Sequence, residues 1–263
     1  LDEQIRAGAS QDFVASRGEY LCARIVADFL SGQFVEAANY IVINDDGQVA
    51  EASYKRLASA LSGEGIYVIP GFYGASPEGG VRTFSRGGSD ITGAIVAEYA
   101  LRRYSVNNDK FDVRIIHKKD YPWFDDHEGR LYLRDGLKRA WLNDDLQSFT
   151  LTRFMPPELM GYQGRAVVID PDVFAAADVW DLLSRDMQGK AILCRSRSGS
   201  KGFMDRCMAT SVMLLDCGKL THWKVREQFE AMFEFKRDYM DWICLRTEDR
   251  DTIGLFEKEW NDF

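Results

Sequence analysis

The sequence predicts an α/β fold, because short apolar segments typical of strands alternate with segments of helical periodicity along the chain. The chain has 263 residues, 46% of them hydrophobic, which suffices for one large core or two small ones. No apolar run approaches the roughly 20 residues that cross a bilayer. We expect two partial, mainly parallel α/β domains in series, residues 1–105 and residues 106–263.

The first half shows this alternation clearly. Five apolar residues recur at helical spacing and predict a helix over residues 10–30, namely Val14, Leu21, Ile25, Val26 and Phe29. Further helices are expected at residues 51–61 and 89–103, and strands at residues 40–43 and 66–69. Strands that alternate with helices favour a parallel sheet.

A polar stretch at residues 105–110 is a plausible boundary, and the texture of the sequence changes after it. All six tryptophans lie at position 123 or later. Strands are expected at residues 111–116, 166–169 and 211–215, and helices at residues 135–154 and 224–236.

Charge and cysteine content exclude several classes of protein. Lys and Arg number 33 against 41 Asp and Glu, a formal charge of −8, which disfavours sequence-independent binding of nucleic acid. The five cysteines include no Cys-x-x-Cys pair, so we expect buried free thiols and a cytoplasmic location. The three histidines are too widely spaced for a zinc site.

The run Arg86-Gly87-Gly88-Ser89-Asp90 predicts a ligand-binding loop that leads into a helix. Two glycines let the backbone approach a ligand closely, and Ser89 and Asp90 are residue types that cap helix N-termini. Free amides at a helix N-terminus, with an arginine beside them, suit a carboxylate or a phosphate. A plain turn with solvated charges is the alternative, and the run alone does not decide between them.

Three segments of the first half together resemble the aspartokinase family of the amino acid kinase superfamily. They are Asp-Phe-Val-Ala-Ser-Arg-Gly-Glu at residues 12–19, Ile-Pro-Gly-Phe-Tyr-Gly at residues 69–74 and Thr-Phe-Ser-Arg-Gly-Gly-Ser-Asp at residues 83–90. That family phosphorylates the side-chain carboxylate of aspartate with ATP. The resemblance implies that Glu19 holds the substrate ammonium and that Arg86 pairs with a substrate carboxylate. It also places Ser89 and Asp90 at the helix mouth, where Asp90 orients a phosphate-neutralising lysine.

The ATP-binding half of the family is expected to be missing. No Lys-x-Gly-Gly-Ser/Thr loop precedes Asp12, and the resemblance ends near Tyr104, before the family's nucleotide-binding loop. We therefore expect an incomplete ATP site and no kinase activity.

The second half carries a different ligand motif, Asp170-Pro171-Asp172, directly after an apolar strand. Two carboxylates at the end of a strand suit Mn²⁺ or Mg²⁺, which can then bridge a diphosphate. A solvated turn is the alternative interpretation of so common a motif.

The residues around this motif resemble GT-A glycosyltransferases of the glycogenin-like, retaining type. The resemblance rests on residues 147–154, 166–172, 211–215 and 238–241. It implies that Asp170 and Asp172 bind the metal and that Arg153 holds the diphosphate or the donor sugar of a sugar nucleotide. It assigns a catalytic role to Asp241, although Trp242 stands where that family has a glutamine.

From these motifs the main predicted function is a metal-dependent sugar-nucleotide glycosyltransferase, incomplete and with its activity left open. The alternatives are an aspartokinase-like remnant that binds aspartate, and a non-catalytic chimeric product. The expected partners are small molecules, a nucleotide sugar or aspartate, with no nucleic acid and no membrane span. Open sheet edges also allow oligomerisation.

Overall fold

A computed structural model describes residues 6, 8–45, 47, 49–84, 88–145, 148–197 and 207–261, and for residues 88–92 it describes the backbone alone. The chain divides into two units, Leu1–Arg103 and Tyr104–Phe263. Within these described ranges no helix is long and apolar enough to span a bilayer.

The first unit combines helices with two small sheets. Its elements are α1 (Gln11–Phe29), β1 (Gln33–Phe34), α2 (Glu51–Ala60), β2 (Tyr67–Val68), β3 (Tyr73–Ala75), β4 (Val81–Thr83) and α3 (Gly88–Tyr104). Strands β1 and β2 pair in parallel, whereas β3 and β4 form an antiparallel hairpin. The α1, α2 and α3 helices confirm the periodicity-based predictions, and residues 40–43 form only isolated bridges.

Helix α1 begins where its sequence supplies a cap. The Ser10 side chain accepts a 3.1 Å hydrogen bond from the amide of Phe13, which satisfies one of the helix's free N–H groups. The buried side of α1 consists of small residues, Ser16, Ala23 and Ala27. Small side chains let the helix lie close to the β3–β4 hairpin and to β1 and β2.

The apolar residues whose spacing predicted α1 lie on its solvent side. Leu21, Ile25 and Phe29 are exposed, with Phe29 at 85% and Ile25 at 69%. The helical period was therefore predicted correctly, but the side that packs inward is the one with small residues.

Close packing at β3 depends on a glycine. A Cβ at Gly74 would lie 2.5 Å from the carbonyl oxygen of Ile41, so no larger residue fits there without backbone movement. The amide of Ala75 donates to that same carbonyl at 2.8 Å, and the amide of Ile43 donates to the Ala75 carbonyl at 2.7 Å. These contacts hold β3 in the core formed by Ile41, Ile43 and Tyr73.

The second unit is built on a four-stranded sheet. Its elements are β5 (Leu131–Arg134), β6 (Leu137–Ala140), α4 (Pro156–Leu159), β7 (Arg165–Ile169), α5 (Val179–Leu183), β8 (Ile192–Ser196), β9 (Met208–Asp216), α6 (Val225–Phe233), α7 (Tyr239–Ile243) and β10 (Ile253–Leu255). The strand order is β10-β8-β9-β7. Only the β10–β8 pair is parallel, and β9 is antiparallel to both of its neighbours. The α/β class is confirmed, but the sheet is mixed rather than mainly parallel.

Residues 135–154 do not form the predicted helix. Strands β5 and β6 form a hairpin through Asp135-Gly136, both with positive φ (53° and 74°), and residues 148–154 form a 3₁₀ helix. An Asp-Gly pair with both residues at positive φ is the turn that matches the twist of a two-residue hairpin. Residues 111–116, expected as a strand, form no regular element.

Aromatic rings dominate the core of the second unit. Phe229 of α6 contacts the rings of Trp123, Phe124, Trp141 and Phe233, with centroids 5.0–5.6 Å apart. The tryptophans Trp123 and Trp141 of this part of the chain thus pack against other aromatic rings.

The cysteine prediction is partly wrong. Cys207 and Cys244 form a disulfide that joins the start of β9 to the end of α7, while Cys194 and Cys217 are buried thiols and Cys22 is an exposed one. A pair of cysteines 37 residues apart leaves no spacing signal in the sequence, which is why the bond was not foreseen.

Candidate substrate-binding site

The three family-like segments meet in the first unit where the β3–β4 hairpin packs on α1, the third through its described residues Thr83 and Phe84. The hydroxyl of Thr83, at the end of β4, donates a 2.6 Å hydrogen bond to Oδ1 of Asp12 in the first turn of α1. The amide of Phe84 donates to the Phe72 carbonyl at 2.8 Å, which fixes the loop before β3 against the end of β4. The segments at residues 12–19, 69–74 and 83–84 are thus adjacent.

The loop before β3 holds an unusual backbone conformation. Phe72 has φ of 72°, a region in which a bulky side chain costs about 1–2 kcal/mol. Its neighbours Tyr73 and Phe84 are fixed by pairing and burial, so the surrounding structure imposes this conformation.

The buried side chain of Tyr73 fixes this loop in the core of the first unit. Its side chain is fully buried, and its hydroxyl donates a 2.6 Å hydrogen bond to Oε1 of Glu36. Burial, and then the hydrogen bond to Glu36, raise the pKa of Tyr73 above its ordinary value of 10.0, so the phenol stays protonated. Glu36 also accepts from the amide of Ala38 at 3.3 Å.

Arg17 lies over three aromatic rings beside this loop. Its guanidinium carbon is 4.4 Å from the ring centroid of Phe13, 4.5 Å from that of Tyr20 and 5.4 Å from that of Tyr73. Its Nη2 donates to the Ser16 hydroxyl at 2.9 Å. The cation therefore fixes aromatic side chains around the site and is already engaged by them.

Sequence reasoning missed most of these positioning groups. The i, i+4 spacing of Phe13 and Arg17, and the i, i+3 spacing of Arg17 and Tyr20, is a signal that could have revealed the cation–π contacts. The Glu36–Tyr73 bond spans 37 residues and has no local signal.

The four residues predicted to contact the ligand differ in how far the structure describes them. Glu19 is exposed on α1, and among the described residues it has no hydrogen bond or ion pair. Arg86 lies outside the described residues. Ser89 and Asp90 lie in the first turn of α3, whose backbone alone is described there.

Two of the residues predicted to bind a metal and a sugar nucleotide, Asp170 and Arg153, form an ion pair. Asp170 follows β7 and pairs with the guanidinium of Arg153, whose Nη1 also donates to the Thr210 hydroxyl at 3.1 Å. Asp172 is exposed on the following turn. The described ranges contain no group of three His, Cys, Asp or Glu side chains that could hold a metal ion. The Asp170 carboxylate is thus balanced by an arginine.

Asp241, predicted to be catalytic, lies on α7 and forms an ion pair. Its Oδ1 accepts a 3.0 Å hydrogen bond from Nη1 of Arg246, a group that is also 3.6 Å from Asp135. His222 is 2.8 Å from Glu248, whose other oxygen accepts from the Trp223 indole at 3.0 Å. Both side chains make structural contacts within the second unit.

Comparison with known proteins finds similarities that are confined to the first part of the chain. Residues 2–101 match the amino acid kinase family. Aspartokinase 3 of Bacillus subtilis strain 168 is 39% identical over 95 residues, an alignment that covers 33% of this chain and 21% of the relative. The crystal structure of an aspartate kinase from Clostridium acetobutylicum is 44% identical and covers 37% of this chain and 23% of that one, with a TM-score of 0.35. The chain thus spans about a fifth of the length of these relatives.

These matches correct the main functional prediction. The family model and the Bacillus subtilis relative support an amino acid kinase-like region in the first unit, and neither supports a glycosyltransferase. The predicted main function, a sugar-nucleotide glycosyltransferase, is therefore wrong. The roles predicted for Asp170, Asp172, Arg153 and Asp241 depended on that function and stay predictions. The aspartokinase-like alternative is the better supported one.

Proposed function

We propose that the first unit is the aspartate-binding part of an amino acid kinase. The observation that carries this proposal is the hydrogen bond between Thr83 and Asp12, which holds together two segments that resemble aspartokinases. The family match over residues 2–101 supports it. In this proposal Glu19 binds the aspartate ammonium and Arg86 binds a carboxylate, with Ser89 and Asp90 at the start of α3.

The chemistry of the ligand explains why these residue types suffice for binding. Aspartate carries one ammonium and two carboxylates, and a charge-assisted hydrogen bond contributes about 1.5–3 kcal/mol. A planar guanidinium can hold a carboxylate with two parallel hydrogen bonds. The exposed position of Glu19 limits its contribution, because solvent screens its charge.

An aspartokinase-like kinase implies ATP and a divalent metal. Mg²⁺ in kinase sites is held by one or two carboxylates together with the substrate phosphates. For this chain we propose binding of aspartate and assign no phosphoryl-transfer step.

Titration calorimetry of the full chain with millimolar L-aspartate tests the proposal. We expect weak binding that Arg86→Met reduces at least tenfold, because the substitution removes the carboxylate partner. Glu19→Gln should weaken the binding of aspartate. It should leave the binding of succinate unchanged, because succinate lacks the ammonium group.

Two exposed residues of the same unit give matched controls, Arg56→Met and Glu64→Gln. Both should bind aspartate as the unmodified chain does. No heat with millimolar aspartate, or equal losses in the controls and the site variants, contradicts the proposal.

A further inference from the structure

Strand β6 is the open edge of its sheet. It pairs with β5 alone, and β5 makes an isolated bridge on its other side, between Leu133 and Asp238. All four residues of β6 are exposed. We define the β6 edge as Leu137, Lys138, Arg139 and Ala140.

The backbone of the β6 edge offers hydrogen-bonding groups to a further strand. The amide of Trp141 donates to the Arg130 carbonyl at 2.8 Å, on the β5 side of the hairpin. Alternate residues of an antiparallel strand direct their N–H and C=O groups to the same side, so the residues two and four positions earlier also face β5. The N–H and C=O groups of Lys138 and Ala140 therefore point away from β5, and within the described part of the chain they have no hydrogen-bond partner.

The hairpin that carries this edge is positively charged. Residues 130–140 hold four basic side chains and one acidic one, in a chain with 41 Asp and Glu against 33 Lys and Arg. Arg134, Lys138 and Arg139 form no ion pair with any residue that the structure describes. The Lys138 ammonium lies 4.4 Å from the ring centroid of Phe235 instead. These cations are thus available to a partner's carboxylates.

The hydrophobic residues beside the cations favour docking over protection. Charged side chains on an edge strand can also serve to prevent pairing with other strands. However, Leu137 is 63% exposed, and Leu131, directly across the hairpin from Ala140, is 49% exposed. An edge that only repels other strands gains nothing from exposed leucines, because they increase the tendency to aggregate.

The charges of the edge select against a second copy of the chain and for an acidic strand. Two β6 strands paired about their centres would place Lys138 opposite Arg139, and like charges directly opposite each other are destabilising. Carboxylates at these two positions make both contacts favourable. A complementary strand therefore has the order apolar, acidic, acidic, apolar, with its apolar residues opposite Leu137 and Ala140.

We propose that the β6 edge binds an extended segment of a partner protein with this apolar–acidic–acidic–apolar pattern, which adds a strand to the hairpin. Backbone hydrogen bonds to Lys138 and Ala140 hold the segment, and its two carboxylates pair with Lys138 and Arg139. The site lies in the second unit and is independent of the proposed binding of aspartate. Open sheet edges were expected to allow oligomerisation, whereas this edge suits a different partner.

Fluorescence anisotropy of the full chain with the labelled, capped peptide Thr-Val-Glu-Glu-Val-Thr tests the proposal. We expect saturable binding that weakens as sodium chloride is raised, because salt screens the ion pairs. The peptide Thr-Val-Lys-Lys-Val-Thr should bind at least tenfold more weakly. The acidic peptide with its four central amides methylated should lose affinity to the same extent. Since it keeps both carboxylates, this loss reports on the backbone hydrogen bonds.

Two variants of the chain separate the role of charge from that of the backbone. Lys138→Glu combined with Arg139→Glu should weaken the acidic peptide at least tenfold and should create binding of the lysine peptide. Ala140→Pro removes one outward N–H group and should weaken the acidic peptide at least threefold. The matched control is Lys55→Glu with Arg56→Glu, at exposed residues of α2, which changes the net charge equally and should leave binding unchanged.

Tryptophan fluorescence during urea unfolding verifies that the second unit of each variant remains folded. Equal affinities for the acidic and the lysine peptide, or equal losses in the β6 double variant and its control, overturn the proposal. No saturable binding at millimolar peptide overturns it as well. A labelled uridine oligonucleotide that binds more tightly than the acidic peptide, and is lost in the β6 double variant, also overturns it, because the cations then serve nucleic acid.

Discussion

Thr83 and Asp12, 71 residues apart, are joined by a 2.6 Å hydrogen bond from the threonine hydroxyl to the aspartate carboxylate. This bond links the last residue of β4 to the first turn of α1. It is the direct connection between two of the segments from which the aspartate-binding proposal is built.

Replacing Thr83 with valine removes the donor but keeps the shape of the side chain. We expect the free energy of opening of α1 to fall by about 1–2 kcal/mol, because the half-buried Asp12 carboxylate loses its partner. Hydrogen exchange of the α1 amides measures this opening. The control is Ser59→Ala, which removes an exposed 3.0 Å hydrogen bond to Lys55 and should change exchange by less than 0.5 kcal/mol.

Tyr73 makes the stability of the first unit sensitive to alkaline pH. Burial and the Glu36 hydrogen bond raise its folded-state pKa above 10.0, the value in the unfolded chain. The stabilisation is therefore fully present below about pH 10 and is lost as the pH rises further toward the folded-state pKa.

Tyr73→Phe should reduce stability at neutral pH by about 1–2 kcal/mol and remove this part of the alkaline dependence. Hydrogen exchange of the β3 amides between pH 8 and 11 measures this pH dependence. The control variant is Tyr104→Phe, at a residue that is 49% exposed. Equal alkaline slopes in the unmodified chain and in Tyr73→Phe would refute this explanation.

Asp238 stabilises the second unit from its position at the N-terminus of α7. Its carboxylate accepts from the amides of Met240 at 2.7 Å, Gly136 at 2.8 Å and Asp135 at 3.0 Å. Burial acts to raise the pKa of Asp238, but these backbone hydrogen bonds outweigh it and hold the pKa below 3.8. The stabilisation is present above the unfolded-state pKa and disappears as the pH falls below about 4.

Asp238→Asn should therefore destabilise the second unit by about 2 kcal/mol at pH 7 and flatten its acid dependence. Tryptophan fluorescence during urea unfolding reports on this unit specifically, because all six tryptophans lie at position 123 or later. Asp181→Asn, at an exposed residue of α5, is the control. A variant that unfolds at the same urea concentration as the unmodified chain argues against the role of Asp238.

The disulfide between Cys207 and Cys244 restricts the unfolded second unit. Cys244→Ser should lower its unfolding free energy by about 4 kcal/mol, the contribution expected of a bond that closes a loop of 37 residues. The same fluorescence measurement checks it. Dithiothreitol should shift the unmodified chain to the midpoint of the variant, and Cys22→Ser should have no effect.

The elements that could be predicted are those with a local signal in the sequence, either helical spacing or an apolar run. Helical spacing identified α1 with its bounds nearly correct, and apolar runs identified β7 and β9. Periodicity could not tell which side of α1 packs inward, because small residues fill the buried side. The helix expected over residues 135–154 failed since the Asp135-Gly136 hairpin signal was not applied.

The site was predictable only where residues near in sequence act together. The family-like segments identified the first unit, but the bonds that assemble it, Thr83 to Asp12 and Tyr73 to Glu36, join residues far apart in the chain. In the second unit the strand before Asp170 was correct, whereas the ion pair with Arg153 could not be read from spacing.

The positive φ of Phe72 has opposite consequences for stability and for ligand binding. Glycine adopts a φ of 72° without strain, so Phe72→Gly is a substitution that a thermostability screen would enrich. A selection for ligand capture would reject it, because a glycine there loosens the loop that Tyr73 anchors. Engineering this chain for heat resistance and engineering it for recognition thus pull residue 72 in opposite directions.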